Sequence, residues 1–91
     1  MQGKSVGEFV DALYYNAEME ITYHKQRLIV TGYLENGIYS ICVDTISASS
    51  KRLFEVSSDD RSKCIEAFEK ARIFDGLTIY EAERDIEVLY G

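Results

Sequence analysis

The side chains able to do chemistry in this sequence are few. There is one histidine, His24, and there are two cysteines, Cys42 and Cys64. A single imidazole excludes most histidine-based metal sites and limits acid–base schemes to one group. His24 lies in the polar stretch His24-Lys-Gln-Arg27, which is expected to turn the chain and leave the ring in solvent. A Cys–His pair requires Cys42 or Cys64 to meet it. Both cysteines stand in apolar patterns, where a thiol stays protonated and unreactive. They form no CxxC pair and no dense disulfide framework, so two reduced, half-buried thiols are expected.

Paired carboxylates can supply a general acid and a general base. Asp44 is the acid of most interest, because the strand pattern puts it among Ile29, Cys42 and Ile46, with Arg27 as its expected partner across a hairpin. Asp59-Asp60 and Glu81 with Asp85 read as helix-start and surface acids, and neither set has the spacing of a calcium loop. Ser47, Ser49 and Ser50 share a loop with no patterned base near them. Glycine-rich phosphate loops, nucleophile elbows and zinc-protease motifs are absent. The sequence thus points to no enzyme, no metal and no cofactor.

Charge narrows the partners. The net charge is −6, against binding to a phosphate backbone, which depends on Lys and Arg displacing counterions. From Asp75 onward, Asp75, Glu81, Glu83, Asp85 and Glu87 face Arg84 alone, an acidic C-terminal pole. No stretch approaches the ~20 apolar residues that cross a bilayer, and no basic region leads into an apolar run at the start. No membrane association and a cytoplasmic location are expected.

These residues must be held by elements, and the organising one is a hairpin. Arg27–Glu35 and Ile38–Ile46 are rich in β-formers and flank Asn36-Gly37, whose residues both tolerate the positive φ of a type I′ turn. A two-residue turn fixes the register. Glu35 then opposes Ile38, Tyr33 opposes Ser40, Thr31 opposes Cys42 and Ile29 opposes Asp44. The alternate pairs are Leu34–Tyr39, Gly32–Ile41, Val30–Val43 and Leu28–Thr45. Opposed residues share a side, so the hairpin has an apolar face (Leu28, Val30, Leu34, Tyr39, Ile41, Val43) assigned to the core and a mixed face. Gly32 in mid-strand marks a bend, a bulge or a close approach.

Around it the chain reads as one small α+β domain, 1–91. Ser5-x-x-Glu8 is a capping box opening a helix over about 5–16, with Val6, Phe9, Val10, Leu13 and Ala17 at helical spacing and Asn16 as its stop. Strand 18–23 alternates Met19, Ile21 and Tyr23 with Glu18, Glu20 and Thr22. Strands 27–35, 38–46 and 52–56 complete a four-stranded antiparallel meander, with Phe54 and Val56 pointing inward. A second helix over about 58–73 starts from Ser57-Ser-Asp-Asp60, carries Cys64, Ile65, Phe68 and Ala71 as its stripe, and ends at Asp75-Gly76. Thr78 with Glu81 repeats the capping box. It predicts a short helix over about 78–86 and then an extended tail, with a strand over 86–90 as the alternative.

The functional expectation falls on the mixed face: Ile29, Tyr33, Ile38, Cys42 and Asp44. Seven tyrosines and no tryptophan suit contact surfaces, since tyrosine offers area with a polar tip. Tyr14, Tyr15, Tyr33, Tyr80 and Tyr90 have no core assignment. The leading expectation is a non-enzymatic module that meets a protein partner or a second copy. Two alternatives stand beside it: single-stranded nucleic acid stacked on Tyr33 with a rim of Lys25, Arg27, Lys51 and Arg52, and an acidic mimic of nucleic acid.

Overall fold

A computed structural model describes residues 1–90, except for the side chain of Tyr90. The expectation for Tyr90 as an unassigned tyrosine therefore lies outside the described residues. In chain order the elements are helix α1 (Val6–Tyr14), strands β1 (Glu18–Tyr23), β2 (Gln26–Glu35), β3 (Ile38–Thr45) and β4 (Arg52–Ser58), helix α2 (Arg61–Lys70), a 3-10 turn (Glu83–Asp85) and strand β5 (Ile86–Tyr90). The strands form one antiparallel sheet in the order β4-β3-β2-β1-β5. The predicted α+β class and the four-strand meander are both present, and β5 is added on the outer side of β1.

The β2–β3 hairpin has the expected register at all eight pairs, from Glu35–Ile38 to Leu28–Thr45. Asn36 and Gly37 have φ of 53° and 78°, as a type I′ turn requires. The β1–β2 connection is just as tight. Tyr23 pairs with Gln26, so the turn is His24-Lys25 alone, with φ of 47° and 66°. These residues bear a steric cost in the left-handed region that Asn-Gly avoids. Because the turn takes two residues where the expected strand bounds left three, β2 starts at Gln26.

α1 lies where the capping box predicts, with the reciprocal Ser5–Glu8 bonds formed. Its stripe buries Val6, Phe9 and Leu13. α2 differs from expectation. Ser57 and Ser58 belong to β4, and Asp60 caps the helix by accepting from the Ser62 amide. The helix ends at Lys70 because Ala71 is already extended. Asp75-Gly76 instead makes a third tight turn between Phe74 and Leu77, which exchange both backbone hydrogen bonds.

The helix predicted over 78–86 is not there. Both capping-box bonds of Thr78 and Glu81 form, and the Ala82 amide reaches the Thr78 carbonyl. That one turn tightens into the 3-10 turn, and Ile86 enters β5 opposite Tyr23. Ile79, Ala82 and Ile86 are buried, so the tertiary demand for a strand beside β1 outweighs the local helical signal.

The core lies on one side of the sheet. Met19, Ile21, Leu28, Val30, Tyr39, Ile41 and Val43 project into it, and Phe9, Leu13, Cys64, Phe68, Phe74 and Ile79 come down from above. Phe9 and Phe68 stack at 6.3 Å, and Phe54 meets Phe68 edge-on at 6.2 Å. Leu34, assigned to this face, is 49% exposed. α1 has ended before it and α2 begins beside the neighbouring strands, so nothing roofs the hairpin tip. Gly32 is the close-approach case. A Cβ there would lie 2.9 Å from the Leu13 carbonyl oxygen and nearer still to the Tyr39 hydroxyl, which donates to that carbonyl.

Arg61 ties the helical layer together. Its guanidinium donates to the Tyr14 carbonyl and to Asn16 Oδ1 (2.9 Å), and lies 4.9 Å from the Tyr39 ring centroid. α1 has no base in its last turn, so α2 supplies the cation that a helix C-terminus favours.

Candidate functional site: the open face of the sheet

Both helices and the 71–85 segment lie on the core side, which leaves the other side of all five strands without a covering element. Alternation decides what it carries. β2 contributes Arg27, Ile29, Thr31, Tyr33 and Glu35, and β3 contributes Ile38, Ser40, Cys42 and Asp44. Glu18, Glu20 and Thr22 of β1 pair with Thr31, Ile29 and Arg27. From β4 come Arg52, Glu55 and Ser57, opposite Asp44, Cys42 and Ser40, and from β5 comes Glu87, opposite Thr22.

The five residues expected to form a site do share this face, but their environments differ. Tyr33 and Ile38 are exposed, at 38% and 43%, and Ile29 is half-buried between neighbouring strands. Cys42 is buried at 3% although no element covers it. The side chains around it on this face are Thr31 and Glu55, its cross-strand neighbours, with Tyr33, Asp44 and Arg52 close by. Burial pushes its thiol upward, against the pull of the Arg52 cation. That is the opposite of an activated cysteine.

Asp44 does not pair with Arg27. A bulge between Val43 and Asp44 on the β3–β4 ladder brings Arg52 across instead. Its guanidinium donates from Nε to Oδ1 at 2.9 Å and from Nη2 to Oδ2 at 3.3 Å, while Nη1 lies 3.2 Å from Glu55. These carboxylates hold the guanidinium still further above its ordinary range. Arg27 is instead engaged by Glu20. Both arginines of the face are thus already bound to acids of the face.

The other chemistry-bearing residues are elsewhere. His24 is in the β1–β2 turn and exposed, as expected, but it also has partners: its ring stacks on Tyr23 at 4.0 Å, with Nδ1 3.4 Å from Asp75 and Nε2 3.4 Å from Asp85. It closes the 71–85 segment against the β1–β2 turn and meets neither cysteine. Cys64 is buried and donates to the Tyr39 carbonyl at 3.4 Å, with burial raising its thiol. Among the described residues no three His, Cys, Asp or Glu side chains are placed to hold a metal ion. A hollow of about 160 Å³ at the outer edge of β5, lined by Gln2 and residues 84–87, has no Ser, Thr, Cys or His in its wall.

Sequence reasoning missed the Arg52 clamp, because a bulge cannot be read from alternation. It also missed the two acids around His24, which approach from a segment near the other end of the chain. Leu34 carried a usable signal: it stands beyond the reach of a helix that stops at Asn16. Compared with family models, curated proteins and solved structures, the chain matches none.

Proposed function

We propose that this protein is a non-enzymatic interaction domain that presents the open face of its sheet to a protein partner. The observation that carries this reading is the one-sided covering of the sheet, which leaves Tyr33 and Ile38 exposed beside Ile29 and a shielded Cys42. Aromatic and aliphatic side chains on a face with polar residues around them match the make-up of protein interfaces. Two free, buried cysteines suit a reducing compartment, and the cytoplasm is the setting proposed. No helix among the described residues is long and apolar enough to cross a membrane.

The nucleic-acid alternative is weaker on this geometry, because Arg27 and Arg52 are occupied by Glu20, Asp44 and Glu55. The test is affinity capture with two baits, the natural chain and a Tyr33→Ala/Ile38→Ser variant, with Ile46→Ser as a control beyond the end of β3. A partner held by the natural chain and the control should bind the double variant at least about tenfold more weakly, the scale of a central contact. Equal retention by all three baits removes the open face as the site. Light scattering of the purified chain separates a second copy from a foreign partner.

A further inference from the structure

We infer that the partner surface accepted by the open face is basic polypeptide. This rests on the interaction reading above and deepens it. The chain has 16 acids and 10 bases. Six of the acids (Glu18, Glu20, Glu35, Asp44, Glu55 and Glu87) but only two of the bases (Arg27 and Arg52) project from the open face, a balance of −4. The rest of the molecule, with ten acids and eight bases, carries −2. Two thirds of the net charge therefore stands on the one side that no helix covers.

The arrangement also fits the chemistry of Lys and Arg. Their apolar stems lie along hydrocarbon while their heads seek carboxylate. Tyr33 and Ile38 supply the exposed apolar ground, and an aromatic ring also attracts a cation over its face. Glu35 pairs with Ile38 and adjoins Tyr33 in β2, and Glu18 pairs with Thr31 on the same side. The same charge argues against the other occupants. A second copy laid face to face brings −4 onto −4, and phosphate backbones and anionic lipids are repelled.

The test uses a short fluorescein-labelled oligolysine peptide, read by anisotropy at low ionic strength. Binding should weaken steeply with added salt. Glu35→Lys/Glu87→Lys should weaken it about tenfold or more. Asp11→Lys/Glu83→Lys, which changes the net charge equally from outside the face, should weaken it less than about twofold. Equal weakening by the two variants, or no binding by the natural chain, overturns the inference. So does a stronger signal with a labelled single-stranded oligonucleotide. The capture experiment decides separately. A partner lost with Tyr33→Ala/Ile38→Ser that proves neutral or acidic leaves the interaction reading standing and removes this one.

Discussion

The two faces of the sheet are built from alternate residues of the same strands, and they solve opposite problems. Val30, Ile41 and Val43 are fully buried under Phe9, Leu13 and Phe68, with contacts fixed by ring stacking and by a glycine that lets a helix end touch a strand. One residue away along each strand, Ile29, Cys42 and Asp44 lie on the side that no helix covers, among the ion pairs of Arg27 and Arg52. The first face is held by area removed from water, worth about 25 cal/mol per Å². The second is held by exposed ion pairs, each worth at most about 1 kcal/mol. One face is therefore costly to alter and the other is cheap.

Truncation on each side should show the gap most plainly. Phe68→Ala removes a ring packed between Phe9 and Phe54 and should cost about 3–5 kcal/mol in chemical denaturation. Ile29→Ala, on the half-open side, should cost about 1 kcal/mol. Similar losses from the two would mean that the open face is a second core and would undo the comparison.

A pH scan sharpens it at one residue. Burial pushes the Tyr39 phenol up to about 12, with the Arg61 cation pulling the other way. In the unfolded chain a tyrosine titrates near 10. The folded state keeps a proton that the unfolded chain gives up, so this contribution is whole below about pH 10 and falls as pH rises to about 12. The slope from this one group is about 1.4 kcal/mol per pH unit. Tyr39→Phe should remove that part of the alkaline slope, at a cost of about 1 kcal/mol at neutral pH for the lost bond to Leu13. Denaturation curves at about pH 9 and 11 for both chains measure it. An unchanged slope would assign the alkaline loss to the other raised groups, the phenols of Tyr23 and Tyr80 and the thiols of Cys42 and Cys64.

How much of this was legible in the sequence depended on range. Asn36-Gly37 specified its own turn, and the turn specified eight strand pairs, because a two-residue loop permits one register. The two capping boxes show where such reasoning stops. Ser5–Glu8 and Thr78–Glu81 form the same bonds, yet the first opens nine helical residues and the second a single turn. The difference lies in the residues beyond each box. Phe9 and Leu13 continue a buried stripe, whereas Ile86 is claimed by the edge of β1. The mixed face was legible as a set of five residues, since period two assigns sides without knowledge of the fold. Whether Cys42 would be open or shielded was not legible, because its neighbours Glu55 and Arg52 come from another strand across a bulged ladder.

That cover gives the comparison its smallest and most local test. If the open face is closed over Cys42 by side chains alone, removing one of them should open it without unfolding anything. Arg52→Ala takes away the guanidinium that Asp44 and Glu55 hold in place, and the ion pairs it breaks are partly exposed, so stability should shift by about 1 kcal/mol or less. Losing the cation also pushes the Cys42 thiol further up, which by itself slows its reaction. Labelling with a disulfide reagent at alkaline pH, where the thiolate is populated in both chains, isolates access from ionisation. In a Cys64→Ala background Cys42 should then react about tenfold faster in Arg52→Ala than in the parent. In a Cys42→Ala background Cys64, on the buried side of helix α2 and bonded to the Tyr39 carbonyl, should show no change. An unchanged Cys42 rate would mean that Tyr33 and Glu55 suffice as its shield, and would make the centre of the open face more core-like than its position allows.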